Sequence, residues 1–313
     1  MFLEQTIDSV LSQGVNVEYI IVDGGSSDHS IEIIKKYERF LAYWISEPDR
    51  GQSSAINKGL KKATGDVVNW LNSDDYLQPN ALQIVREHFL NPETNVVAGR
   101  SNQIKESRIV SQSTGTDIYK ENLPKTLGQA RIDQPETFFR KAVFDKLGLL
   151  NEELHFVMDK EFWVRYLISE GLHHIAKISD ILANFRLHAA SKTQTNAANF
   201  WHEENSLFYQ IAVTNNLDRI AKVISQSLPM GPAHKPMKYS IGDQDLAQQA
   251  LDYFLLYRAD EFYYQDHHSQ CSFLLSAITQ ENLASEDHEL YKKLCFRSAF
   301  VPVFIKRIAR RWK

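Results

Sequence analysis

Cysteine is scarce in this 313-residue sequence, which holds only Cys271 and Cys295, with no C-x-x-C spacing. That excludes a disulfide scaffold and a cysteine-built metal cage, and it fits a reducing cytosol. No apolar run approaches the roughly 20 residues that cross a bilayer, so no membrane span is expected. A basic segment leading into an apolar run is missing from the start, so no signal peptide is expected either. Positive charge is not in surplus: 35 Lys and Arg face 39 Asp and Glu, a net charge of −4. A general nucleic-acid binder would be basic, so nucleic acid is not an expected partner. Repeats and low-complexity tracts are absent. An apolar fraction of 43% and a charged fraction of 24% exclude collagen-like and disordered chains.

What is present is an alternation of helix and strand patterns. Leu3, Ile7, Val10 and Leu11 recur at helical spacing, and Gly14 closes that helix. Glu18 to Val22 is a short β-branched run that stops in the turn-rich loop Asp23 to Asp28. Ile31, Ile34 and Tyr37 predict a second helix, and Tyr43-Trp44-Ile45 a strand that runs into Ser46 to Gln52. Ile56, Leu60 and Ala63 predict a third helix, and Val67 to Leu71 a strand that stops at Asn72 to Asp75. This rhythm predicts an α/β fold, a mostly parallel sheet with flanking helices. From about 93 to 130 short strands mix with polar loops. Strands are expected at Pro135 to Phe139 and Ile181 to Leu187, and helices at Phe144 to Gly148 and Asp159 to Glu170. Past about residue 195 the pattern is helical and aromatic. The expected division is residues 1–205 for the α/β domain and 206–313 for a C-terminal helical appendage.

Three polar loops end on acids where strands stop: Asp23 to Asp28, Glu47 to Gln52 and Asn72 to Asp75. Parallel sheets bind ligands at the carboxyl ends of their strands, so three acid-bearing loops on one edge mark a site. A single acid there is a turn former or helix cap, which is the reading for Asp28. The adjacent Asp74 and Asp75 repel each other, and a divalent cation relieves the repulsion. Mg²⁺ and Mn²⁺ prefer such oxygen ligands and share them with phosphates.

In that setting the motifs resemble the family 2 glycosyltransferases of GT-A fold. They are Ser9-Val10-Leu11-Ser12-Gln13, then Val22-Asp23-Gly24-Gly25-Ser26-Ser27-Asp28, then Ser46-Glu47-Pro48-Asp49-Arg50-Gly51-Gln52 with Ala55-Ile56-Asn57-Lys58-Gly59. Trp70-Leu71-Asn72-Ser73-Asp74-Asp75, Gln134-Pro135 with Phe138-Phe139, and Met158-Asp159-Lys160-Glu161-Phe162-Trp163 follow in family order. Phe185-Arg186-Leu187-His188 with Ser191-Lys192-Thr193 completes the series, which covers roughly residues 2 to 205. The resemblance implies an inverting, metal-dependent transfer of a sugar from a UDP- or dTDP-linked donor to an acceptor hydroxyl. The acceptor would be a saccharide or lipid-linked, in bacterial surface polysaccharide or glycoconjugate synthesis. Asp23, Gly24, Asp49, Arg50, Gln52, Lys58 and Asp74 are then the nucleotide-sugar-binding residues. Asp74, Asp75 and His188 are the metal-site residues for Mg²⁺ or Mn²⁺, and Asp159 is the catalytic base. Glu161 is the second choice for base. Chemistry agrees: the departing diphosphate needs a Lewis acid and the acceptor hydroxyl needs a base. The dipole at a helix start favours an ionised Asp159.

Two departures from the pattern stand out. Asn72 occupies the position where an acid often opens the D-x-D element, so charge at the metal rests on Asp74. The sequence also starts at the helix pattern with no preceding strand, where the family has one ending in Pro-x-Tyr-Asn. That motivates an alternative: a degenerate relative acting as a binding or scaffold protein. A nucleotidylyltransferase would need a Gly-rich phosphate loop with Arg and Lys, and a dehydrogenase G-x-G-x-x-G after the first strand; neither is present. Finally, Phe304, Ile305, Ile308 and Trp312 share a helical face among Lys306, Arg307, Arg310, Arg311 and Lys313. Such an end suits the anionic inner face of the cell membrane on a cytoplasmic protein, or a solvated terminal helix docked on the body.

Overall fold

The computed structural model describes residues 2–188 and 191–300. The basic amphipathic end, with Phe304 and Trp312, lies outside the described residues. The chain divides into two compact units, residues 1–118 with 131–200, and residues 119–130 with 201–313.

The first unit opens with α1 (Leu3–Leu11), then β1 (Ile20–Asp23), α2 (Ser30–Tyr37), β2 (Tyr43–Ser46), α3 (Gln52–Lys62) and β3 (Val67–Val68). β4 (Tyr76–Leu77), α4 (Ala81–Phe89), β5 (Val96–Lys105) and β6 (Arg108–Gln112) follow. β1 and β2 form a parallel two-stranded sheet, Ile20 opposite Tyr43 through Asp23 opposite Ser46. With β7 (Thr137–Arg140) and β8 (Ile175–Arg186), the remaining strands form a second sheet in the order β3-β7-β5-β8-β4, with β6 on β5. The first pair is parallel, as the helix-strand rhythm requires, and β5 and β8 are parallel too. β7, β6 and β4 enter antiparallel, which makes the second sheet mixed. For β6 the reason is connectivity: β5 and β6 are joined by a two-residue turn, with no crossover helix between them.

The strand expected over Val67 to Leu71 is only two residues long. Among the described residues it pairs with β7 alone, so no second ladder extends it past Val68. One face of the mixed sheet carries Val97, Phe138 and Leu182 against Val10 of α1 and Ala81 and Val85 of α4. Phe139, alternate to Phe138 on β7, points to the opposite face. There it meets Phe162 and Trp163 of α7 (Met158–Glu170) at 5.3 and 6.5 Å between ring centroids.

In the second unit α5 (Leu123–Gln129) packs on α11 (Gln244–Tyr264), so a stretch that reads as mid-chain loop belongs to the helical part. Gly128 shows why: a Cβ there would lie 2.2 Å from the Ala250 carbonyl oxygen. α6 (Lys141–Leu147) and α8 (Lys192–Thr195) are short helices of the first unit. The others are α9 (Ala197–Thr214), α10 (Asp218–Ser227), α11 (Gln244–Tyr264), α12 (His268–Ala277) and α13 (His288–Phe300). Asp243 caps α11, accepting from the Asp245 and Leu246 amides. Among the described residues no helix is long and apolar enough to cross a membrane.

Candidate active site

The three acid-bearing loops lie at the carboxyl ends of β1, β2 and β3, and each is locked by local chemistry. Asp23 ends β1 and is nearly buried. Its Oδ2 accepts from the Gly25 and Ser26 amides and the Ser46 hydroxyl, and its Oδ1 from the Ser26 hydroxyl. Burial would raise this carboxyl, but the Ser26 and Ser46 hydroxyls and the two amides outweigh it and hold it below the usual range. Asp23 therefore organises its own loop and ties it to β2. A Cβ on Gly24 would sit 2.5 Å from Asp49 Oδ2, so any side chain there would displace the Asp49 carboxylate. Asp49 in turn accepts from the Gly51 amide at 2.8 Å. Gly51 has φ +120° at the start of α3, a conformation that favours glycine.

Of the remaining predicted nucleotide-binding residues, Arg50 lies in the loop after β2 and Gln52 and Lys58 on α3; only Gln52 lines the cavity shared by Asp74 and His188. Arg50 is 81% exposed in its side chain and reaches Glu152 Oε2 at 2.5 Å. Lys58 pairs with Glu47 at 2.8 Å. Gln52 points inward: its Nε2 donates to Asn72 Oδ1 at 2.7 Å, and its Oε1 accepts from Lys192 Nζ at 3.1 Å.

Asp74 and His188 come together. His188 Nε2 lies 2.8 Å from Asp74 Oδ2, and both side chains are about 30% exposed, at 28% and 30%. Arg186 brings them into register: it donates to the Asp74 carbonyl and to Gln5 Oε1, and its guanidinium stacks on Phe2 and Tyr76. Asp75 does not join the pair. Its carboxylate is buried, with Oδ1 on the Arg186 amide and Oδ2 on the Asn72 side chain. Burial, reinforced by the Asp74 charge, pushes it up to about 7. Among the described residues no three His, Cys, Asp or Glu side chains converge as a metal cage. Of the three expected metal-site residues, the structure thus joins two.

Asp159 lies in the first turn of α7, and its Oδ1 accepts from the Lys160 amide at 2.7 Å. The helix-dipole argument predicts a lowered carboxyl. Burial outweighs the amide and the Lys160 charge, and raises it to about 6. Glu161 is no base: it is fully buried and forms a two-pronged ion pair with Arg165 at 2.8 and 2.9 Å. Asp74, Asp159, His188 and Lys192 line one cavity of about 1520 Å³ inside this unit.

Asn57, Gln134 and Lys192, quoted only as parts of motifs, and Asn69, in the strand expected over Val67 to Leu71, tie the loops of the candidate site to the rest of the unit. Asn57 exchanges two hydrogen bonds with the Leu150 backbone at 2.9 and 3.0 Å. Gln134 donates to the Trp70 carbonyl, and Asn69 to the Thr137 carbonyl at 2.8 Å. Lys192 is the clearest omission: it places a cation between Gln52 and the His155 carbonyl, on the cavity wall. Sequence signalled it only as the middle of the Ser191-Lys192-Thr193 motif, with no role attached.

Residues 2–148 match the model of glycosyl transferase family 2. The matched stretch is just under half of the chain and supports a family 2 glycosyltransferase. An uncharacterized glycosyltransferase of Rickettsia typhi is 27% identical over 202 residues, 62% of each chain. One from a Nostoc species is 27% identical over 231 residues, 68% of this chain and 69% of that protein. The match thus spans about three fifths of the Rickettsia relative's length. Among solved structures, Staphylococcus aureus TarS 1–349 in complex with UDP-GlcNAc aligns with a TM-score of 0.61 at 16% identity. The alignment covers 100% of this chain and 88% of that one, so the two share an α/β fold with a helical C-terminal region.

The buried acids carry a stability prediction. Asp159, Asp75 and Glu136, which burial raises to about 8, all hold their protons more tightly folded than unfolded. Their stabilisation is full below about pH 4 and is lost as pH climbs through about 6, 7 and 8. Asp23, held low, acts oppositely and only below about pH 4. Thermal melts should therefore show Tm falling from pH 5 to pH 8.5, with the upper part flattened in Glu136→Gln. A Tm that climbs over that interval would refute these assignments.

Proposed function

We propose that the protein transfers a sugar, with inversion, from a UDP- or dTDP-linked donor to the hydroxyl of a saccharide or lipid-linked acceptor. The observation that carries this is one cavity holding the Asp74–His188 pair and, from a separate helix, the elevated carboxyl of Asp159. The setting fits bacterial surface polysaccharide or glycoconjugate synthesis. A carboxylate beside an imidazole, both accessible from the cavity, is a donor set that suits Mg²⁺ or Mn²⁺ shared with phosphate oxygens. Asp74 and His188 would hold that ion, which when bound supplies charge stabilisation to the leaving diphosphate. Asp75 supports them from behind by fixing the Arg186 backbone.

The chain's own groups do the rest. Lys192, braced by Gln52, adds a fixed positive charge on the diphosphate side. The loops at Asp23–Gly24 and Asp49–Arg50 hold the nucleoside end, with Asp23 acting through the loop it organises. Lys58 steadies that rim through Glu47. Asp159 takes the acceptor hydroxyl proton at Oδ2, because Oδ1 is occupied by the Lys160 amide. A single base facing a departing group on the far side of the sugar gives inversion, by the logic of inverting glycosidases.

The test is release of nucleoside diphosphate from UDP- and dTDP-sugars with Mg²⁺ or Mn²⁺. Asp74→Ala and His188→Ala should each lower release by about 10²-fold or more and weaken Mn²⁺-dependent UDP binding by calorimetry. A second reading, a degenerate relative that only binds, is favoured by the open edges of β1 and β3. UDP binding with no release from any donor would select it, and no binding at all would sink both.

A further inference from the structure

A second group of carboxyls lies on the wall of the cavity that holds Asp74 and Asp159, and no step of the transfer uses it. Ser101 and Gln103 of β5, with Ser113, Asp133 and Glu136, line that stretch of wall, and all belong to the first unit. Glu136 is fully buried and stands directly before β7. Its Oε1 accepts from the Ser113 hydroxyl at 2.8 Å, while its Oε2 is buried with no hydrogen-bond partner among the described residues. The Ser113 oxygen already accepts from the Ser101 and Gly115 amides, at 2.9 and 3.2 Å, so its one proton goes to Glu136. Asp133 is arranged alike. Its Oδ1 accepts from Arg131 Nη1 at 2.9 Å, and its Oδ2 is buried without a partner among the described residues. The other side of the Arg131 fork is held by Asp117, at 3.0 and 2.8 Å.

The backbone keeps both carboxyls in place. The Asp133 amide donates to Thr116 Oγ1 at 3.0 Å, and Thr116 Oγ1 lies 2.9 Å from Thr137 Oγ1, which donates to the Asp133 carbonyl at 2.7 Å. This chain of hydroxyls braces residues 133–137 against the loop 113–117. A buried polar atom left unmet is costly, and here two such oxygens sit on the wall of one cavity.

Proton placement makes the two carboxyls unlike. Burial, reinforced by the Asp133 charge, raises Glu136 to about 8, so at neutral pH it carries its proton. With Oε1 receiving the Ser113 proton, that proton sits on Oε2, a donor with no acceptor. Asp133, ion-paired to Arg131, presents Oδ2 as an acceptor. The Asp133 charge is felt at Glu136 and also at Asp159, so all three share one neighbourhood. A donor beside an acceptor is the complement of a hydroxyl, which both gives and takes a hydrogen bond. Neighbouring hydroxyls on a sugar ring satisfy both at once, and a hydrocarbon chain satisfies neither.

We propose that Asp133 and Glu136 bind the acceptor, and that the end it presents to Asp159 is a polyhydroxylated sugar ring, not a lipid alcohol. The assignment rests on the transferase reading and narrows it. Asp159 faces one hydroxyl of the ring while Asp133 and Glu136 hold its neighbours.

The test titrates the 313-residue chain, without nucleotide, with the methyl glycosides of glucose, galactose, mannose and N-acetylglucosamine, and with 1-hexanol as the lipid-alcohol probe. Binding is read by saturation-transfer NMR. At least one glycoside should bind, and Glu136→Leu and Asp133→Asn should each weaken it by about tenfold or more, leaving any 1-hexanol signal unchanged. Glu136→Gln should stay within about threefold of the parent, because its amide still accepts from Ser113 and still donates from the same place. If Glu136→Leu does not fold, Asp133→Asn decides. No glycoside binding, or binding indifferent to these substitutions, would overturn the proposal. So would a loss in Glu136→Gln as large as in Glu136→Leu, which would remove the donor role. Glycoside binding that follows these substitutions, with no nucleoside diphosphate release from any donor, would count against the transferase reading alone. Release without the glycoside effect would count against this assignment alone.

Discussion

Asp159→Asn is expected to lower kcat by about 10³-fold while leaving the donor KM close to that of the parent protein. General base catalysis contributes about 10²–10⁴-fold, and the amide keeps the shape while losing the proton acceptor. Stability gives an independent readout. With its carboxyl raised to about 6 by burial, Asp159 at pH 7.5 is an ion held where folding disfavours it. Asparagine removes that cost, so the variant's Tm at pH 7.5 should equal or exceed the parent's. The parent's kcat should also climb through about pH 6 and level off, because the working form is the carboxylate. A variant that keeps full kcat refutes the base assignment. One that loses kcat together with a large fall in Tm would assign Asp159 to the framework.

Glu161→Gln carries the largest expected effect on folding. Arg165 is 1% exposed and donates to both Glu161 oxygens and to the Leu147 and Leu149 carbonyls. Taking away the carboxylate leaves a guanidinium charge buried without its counterion, which costs about 3–5 kcal/mol. For a chain of this size that lowers Tm by roughly 10 °C. Glu161→Leu combined with Arg165→Met should recover part of the loss, since the apolar pair leaves no orphaned charge. At a temperature where Glu161→Gln remains folded, its kcat should match the parent's, in contrast to Asp159→Asn. A fall of under 1 kcal/mol would mean the pair is solvated.

The two substitutions lie two residues apart and mark where the sequence stops being informative. Strands that end in acids are visible because a β-branched run meets turn residues, and the loops at Asp23, Asp49 and Asp74 follow from that alone. The pairing of His188 with Asp74 was reachable only through the family pattern, since the two are over a hundred residues apart. Glu161 and Arg165, at i and i+4, look like an ordinary exposed helix pair. What buries them is the chain near Leu147 and Leu149, which no local pattern specifies. Asp75 looks equivalent to Asp74, yet the Arg186 amide captures it from a distant strand. Likewise α5 reads as loop because its reason for being helical, the close approach of Gly128 to α11, is a tertiary contact.

The Asn57 side chain has a kinetic meaning. By gripping the Leu150 backbone it fastens α3, the carrier of Gln52, to the segment that leads into Asp159. On the proposed transferase reading, the group bracing the diphosphate side and the group taking the acceptor proton would then ride on one mechanical block. A donor settling against α3 would then align Asp159 before any acceptor arrives, so donor-first binding is the order to expect in product-inhibition kinetics.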